Sequence, residues 1–170
     1  MNMNVLKNVE ELNAERQRFF ESHPEAPVAK DVECLNLIMR KEFALQILNG
    51  TKKLEYRAYS EHYVTRLIDK AVNEYINMHI DDDDIAGFCN DIRPVKKIHF
   101  HNYSNSWYLD VECVFNDAFI VNKDGIAYLN AEFDCHDWDE ECARMDAKKE
   151  KMRPCMFFFV CGKVLGTNLK

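Results

Sequence analysis

The chain is 170 residues long, 47% hydrophobic and 12% aromatic, and carries a formal net charge of −7 at pH 7. So much apolar character, with few glycines and prolines, excludes an intrinsically disordered chain, and the acidic balance excludes a protein that coats phosphate backbones through a broad basic surface. The length suits one domain, no apolar run approaches the ~20 residues of a membrane span, and seven cysteines without a secretory signal pattern point to free thiols in a reducing cytoplasm.

The charge is uneven along the chain. Residues 30–66 hold seven Lys/Arg against five Asp/Glu, whereas residues 67–84 hold one against six. A local basic site is therefore compatible with an acidic whole.

In chain order, Val5, Val9, Leu12 and Phe19 recur at helical spacing and predict an amphipathic helix over 4–21, closed by His23–Pro24 and followed by the linker "PEAPVAK". Residues 32–39 alternate as a strand, with Leu35, Leu37 and Met39 on one face. A short helix over 41–49 carries Phe43, Ala44, Ile47 and Leu48 on one side, and Gly50 is its stop. A charged strand follows. The stripe Tyr63, Leu67, Ala71, Tyr75 then predicts one long helix over 60–79.

The second half reads mainly as strands: 94–103, then 106–121 with a bend or break near Asn116–Asp117, then 126–135. Residues 137–151 place acids first and bases last, as a helix dipole prefers, and 155–165 is a buried closing strand. This order of helices and strands predicts an α+β fold, a small barrel or curled sheet with helices packed outside.

The stretch "LNGTKKLEYR" (48–57) crowds charge onto the entry to a strand. Gly50 permits the positive φ that lets a chain leave a helix sharply. Lys52 sits at the turn, where the negative end of the helix dipole favours its ammonium. Alternation puts Lys53, Glu55 and Arg57 on one face and points Leu54 and Tyr56 to core. Glu55 is close enough to orient Lys52 or Arg57, and the planar fork of Arg57 suits a phosphate or the carbonyls of a base. Ordinary charge pairs on an edge strand are the alternative.

The strand, the glycine-stopped helix and the G-x-K-x-x-E-x-R run of Gly50, Lys52, Glu55 and Arg57 resemble the ASCH family, a branch of the PUA-like β-barrel superfamily. The resemblance covers residues 35–57, about a third of the core. It implies a PUA-like barrel over 30–170, with residues 1–29 as an N-terminal helical extension and linker and the long helix as an insertion. It further implies binding of RNA or a modified nucleoside in a cleft around Gly50, Lys52, Lys53, Glu55 and Arg57. One branch of the family hydrolyses N4-acetylcytidine with a lysine, a threonine and a downstream glutamate. Lys52 matches the lysine, Glu55 stands at the threonine position, and Glu112, Glu140 and Glu141 are candidates for the downstream acid. An amidohydrolase using Lys52 and Glu55 is thus one rival reading. A protein-interaction module docking through helix 60–79 is the other.

"RPVKKIHFHNYSNSWY" interleaves cations with aromatics, as single-stranded nucleic acid requires. Lys97, His99, His101, Tyr103 and Trp107 are accordingly candidates for a second wall of the cleft, with a half-buried strand and aromatic turn as the alternative. The "DDDD" run at 81–84 lacks the glycine and spacing of a calcium loop and reads as solvated loop. Cys135, His136 and Cys142 do not match zinc spacing, and no cysteine carries the signature of an activated nucleophile. Five dispersed glycines supply neither a P-loop nor a dinucleotide fingerprint. The sequence therefore implies no metal and no cofactor.

Overall fold

The computed structural model describes residues 3–145 and 154–170. The fold is α+β, built on a curled half-barrel sheet of five strands. The strands are β1 (Leu35–Ile38), β2 (Leu54–Ala58), β3 (Lys97–His101), β4 (Tyr108–Ile120) and β5 (Cys155–Thr167), in the spatial order β1-β3-β4-β5-β2. Only β1 and β3 run parallel; β3–β4, β4–β5 and β5–β2 are antiparallel. The short strands β1 and β2 are thus the two edges.

Each face of the sheet has its own core. On the inner face Leu35, Leu37, Ile98, Phe100, Leu109, Val111, Phe157 and Phe159 pack with Ala44 and Ile47 of α2 (Lys41–Leu48) and Leu67 of α3 (Glu61–Leu67). On the outer face Leu54, Phe115, Phe119, Phe158 and Val160 pack under Val5 and Val9 of α1 (Met3–Ser22) and Ile126, Leu129 and Phe133 of α6 (Lys123–Phe133). β4 serves both cores because its register shifts between Cys113 and Phe115. Cys113 pairs with Cys161 and Phe115 with Val160, so β4 carries one extra residue there. Side-chain period is two, so one extra residue turns every later side chain to the other face. That is why Cys113 and Phe115, two residues apart, lie in different cores.

Several expectations are corrected. The helix over 60–79 is two helices, α3 and α4 (Lys70–Met78), separated at Ile68–Asp69. Ile68 is drawn into a β-bridge with Ile92, and Asp69 caps α4 by accepting from the amides of Ala71 and Val72. The stretch is therefore not one continuous helix. The strand expected over 126–135 is helix α6, with Asn122 capping the amide of Gly125. β4 runs unbroken past Asn116–Asp117, its irregularities lying between Asp110 and Phe115. Part of the acidic run forms α5 (Asp83–Phe88), capped by Asp82. The helix expected over 137–151 is represented by α7 (Asp139–Ala143), and its later part lies outside the described residues. Leu54 and Tyr56 do point to core, but to the outer one. The barrel interior receives Glu55 instead.

Among the described residues no helix is long and apolar enough to cross a membrane. All seven cysteines are free. Burial pushes the Cys113 thiol up to about 12 and raises Cys161 as well, which makes both poor nucleophiles at neutral pH.

Asn116, 5% exposed, ties β4 to the segment before β3: its Oδ1 accepts from the Val95 amide at 2.8 Å and its Nδ2 donates to the Arg93 carbonyl at 3.1 Å. Asn116→Ala strands both backbone groups, and a cost of about 2–3 kcal/mol is expected, read from the urea midpoint. A cost below about 0.5 kcal/mol would show that the tie carries no stability.

Candidate functional site

The loop after α2 sets the site. Gly50 takes φ +75°, and the Gln46 carbonyl accepts the amides of both Thr51 and Lys52. This closes the helix end and aims the chain into β2 with Glu55 turned inward. Glu55 pairs across the sheet with Phe159, and Arg57 with Phe157, so both share the inner face with two core phenylalanines.

Glu55 is 5% exposed, and both of its oxygens are occupied. Oε1 accepts from Arg57 Nη1, and Oε2 lies 3.5 Å from Lys52 Nζ. Burying a carboxylate is costly unless it is paired, and here two cations flank it. Arg57 Nη1 also donates to the Tyr56 carbonyl at 2.8 Å, and Nη2 donates to the Ile38 carbonyl at 3.1 Å. Ile38 ends β1, so Arg57 spans the two edges of the curled sheet. Lys52 Nζ additionally stands 5.1 Å from the centre of the Tyr56 ring, within cation–π range.

A cleft opens beside this clasp. One cavity of about 310 Å³ is lined by Arg40, Phe43, Lys52, Glu55, Tyr56 and Arg57, with Ile38 and Met39 at its edge. A second, of about 290 Å³, shares Phe43, Lys52 and Tyr56 with it and adds Gln46, Thr51, Asp137 and Trp138. The first cavity has three cations against one carboxylate, in a chain whose net charge is −7. Phe43 is 40% exposed, unlike its helix neighbour Ala44, and presents its ring to both cavities. Burial raises the Tyr56 phenol well above its ordinary range, reinforced by contacts with the Cys135 thiol (3.0 Å) and the Asp137 carboxylate (3.1 Å). Tyr56 is therefore a protonated wall of the cleft.

The structure brings together Lys52, Glu55 and Arg57, while Gly50 shapes the turn before them and lines a different cavity, of about 370 Å³, rather than this cleft. It turns Lys53 away: its ammonium pairs with Asp134 at 2.9 Å, beyond the end of α6. The proposed second wall is not a wall of this cleft. Lys97, His99 and His101 project from β3 on the face opposite Ile98 and Phe100, where Asp110 meets His99 at 2.5 Å and Lys97 at 3.8 Å. Tyr103 is 88% exposed in the hairpin between β3 and β4, and Trp107 is buried in the inner core, where no base can stack on it. Of the three candidate acids, Glu112 lines a further cavity of about 370 Å³ that Lys52 and Lys53 also reach. Glu140 and Glu141 stand exposed on α7. Among the described residues no three His, Cys, Asp or Glu side chains are grouped to hold a metal.

Sequence reading missed Arg40, Phe43 and Tyr56 as cleft residues. Phe43 is indistinguishable from a core residue by periodicity, and Arg40 carries no local signal beyond its charge. Compared with protein-family models, curated proteins and solved structures, the chain matches none.

The buried network makes a graded prediction. Glu55→Gln removes the charge between two sequestered cations and is expected to cost about 2–4 kcal/mol in urea unfolding. Lys53→Ala, which breaks a half-exposed pair with Asp134, should cost less than about 1 kcal/mol. Equal costs for the two variants would contradict the assignment of Glu55 as the network's centre.

Proposed function

We propose that this chain is a binding module of the ASCH type, with a PUA-like sheet, that recognises RNA or a modified nucleoside in the cleft beside Lys52, Glu55 and Arg57. One observation carries the reading: Lys52, Glu55 and Arg57 of the G-x-K-x-x-E-x-R run line a cleft at the gap between the sheet edges, where cations and aromatic rings share one space. Guanidinium and ammonium groups only donate. Arg57 has five N–H groups and spends three of them on Glu55, Tyr56 and Ile38, and Lys52 adds its own. The ligand such a lining favours is rich in acceptors, and the exposed ring of Phe43 beside the half-buried ring of Tyr56 favours one that is planar. Base carbonyls and phosphate oxygens on a stacked ring meet both conditions.

Recognition is favoured over amide hydrolysis because Glu55 has no free oxygen to act as a base; Lys52 and Arg57 hold both. Arg57 acts first as a structural clasp, and Phe43 is the better probe of binding because its ring can be removed without opening the sheet.

A saturable rise in melting temperature with a nucleoside or nucleotide is the expected result. At one hundred times Kd the ligand adds about 2.7 kcal/mol, a shift of roughly 5–10 °C for a domain of this size. Phe43→Ala should weaken binding by about 1–3 kcal/mol, the worth of one stacked base. Absence of any saturable shift across the common and acetylated nucleosides and their monophosphates would refute the reading. Release of acetate from N4-acetylcytidine, abolished in Lys52→Ala, would replace it with hydrolysis.

A further inference from the structure

Register places Ile38 of β1, His101 of β3 and Tyr108 of β4 in one row across three neighbouring strands. All three side chains alternate with inner-face residues and therefore stand on the outer face. This part of the outer face is open. Ile38 is 44% exposed and Tyr108 36%, whereas the outer face of β2 and the later half of β4 are buried under α1 and α6. The rings here are ordered: His99 lies nearly parallel to His101, with centroids 5.4 Å apart and planes at 30°, and to Tyr108, at 5.8 Å and 20°. Asp110 fixes the middle ring through the 2.5 Å contact with His99 Nδ1.

The row also meets the cleft. Ile38 lines the first cavity and receives the Arg57 clasp, so the mouth of the cleft and the ring ladder share one residue of β1. Cations border both parts: Arg40 at the mouth, Arg66 donating to the Asn36 carbonyl of β1, and Lys97 beside the ladder. The carboxylates of this face are Asp110, engaged by His99 and Lys97, and the exposed Glu112. A half-exposed set of pre-aligned rings, cationic at its borders and continuous with a base-sized cleft, matches the requirements of a single strand, whose bases stack and whose phosphates meet cations.

We infer that the outer face of β1, β3 and β4 is a stacking platform for single-stranded RNA: the nucleotide held in the cleft is part of a strand whose neighbouring bases lie over Ile38 and against the His101–His99–Tyr108 ladder. The inference rests on the nucleoside-cleft reading and extends it from a single nucleotide to a strand.

The test compares a seven-nucleotide single-stranded RNA with the mononucleotide that binds best, by fluorescence anisotropy and calorimetry, on the full chain. The parent should bind the oligomer at least tenfold more tightly than the mononucleotide. Tyr108→Ala and His101→Ala should each reduce oligomer affinity about five- to twentyfold and leave mononucleotide affinity unchanged. Tyr108→Phe, which keeps the ring, should retain the parent's affinity, and an unchanged melting temperature shows that the fold is intact. Equal affinity of oligomer and mononucleotide, or ladder variants that bind the oligomer like the parent, would overturn the platform and leave the cleft reading standing. Oligomer binding lost in Tyr108→Ala but indifferent to Phe43→Ala would sink the cleft reading and keep the platform. Binding of neither ligand would remove both.

Discussion

Glu55 is a carboxylate in the wrong place for an isolated charge, on the inner face of a sheet among core phenylalanines. It is tolerated because Lys52 takes one oxygen and Arg57 the other, and this pairing has consequences beyond its own stability. Held by Glu55, the Arg57 guanidinium has a fixed direction and a free edge, and that edge reaches the last carbonyl of β1. A five-stranded sheet that curls without closing leaves two edges with unpaired backbone groups. Arg57 answers one of those groups with a side chain instead of another strand. The same three residues line the cleft; Arg57 joins the edges, and Arg57 and Lys52, with Arg40, outweigh the one carboxylate there.

The fold supplies the two conditions that this arrangement needs. α2 packs Ala44 and Ile47 into the inner core and so leaves Phe43 facing the opening. The extra residue of β4 between Cys113 and Phe115 lets one strand serve an inner core at its start and an outer core at its end. The outer core then recruits α1 and α6 over β2 and β5, while the beginning of β4 stays open beside β1 and β3. Cleft and open face follow from the register shifts of β4 between Asp110 and Phe115 and from the helix stop at Gly50.

Much of this was legible in the sequence, for identifiable reasons. Gly50 marked a helix end because little else tolerates its φ, and the charges after it drew attention to the strand that proves to carry the buried Glu55 network. The orientation of that strand was not legible. Alternation separates Leu54 and Tyr56 from Glu55 and Arg57, but it does not say which face of a two-sided sheet is the interior. α6 was misread as a strand, although Ile126, Leu129 and Phe133 fit a helix spacing, and their burial under α1 decides for the helix. The long helix was two because each half is amphipathic by itself, and the bridge of Ile68 to Ile92, distant in sequence, together with the Asp69 cap of α4 separates them. Trp107 looked like a stacking residue for the same reason that it makes a good core residue: it is large, flat and apolar.

Native-state hydrogen exchange tests the clasp most directly, by comparing the parent with Arg57→Lys. A lysine keeps the charge beside Glu55 but lacks the fork needed to reach Ile38 at the same time. The Met39 amide, which donates to His101 at the end of β1, is the reporter. Its protection, with that of neighbouring β1 amides, should fall about tenfold or more in the variant, because a hydrogen bond to a charged group is lost at that edge. The β4–β5 amides should keep the parent's protection. Unchanged protection at Met39, or a uniform loss across all five strands, would contradict the view that Arg57 holds the sheet edges together and shapes the cleft.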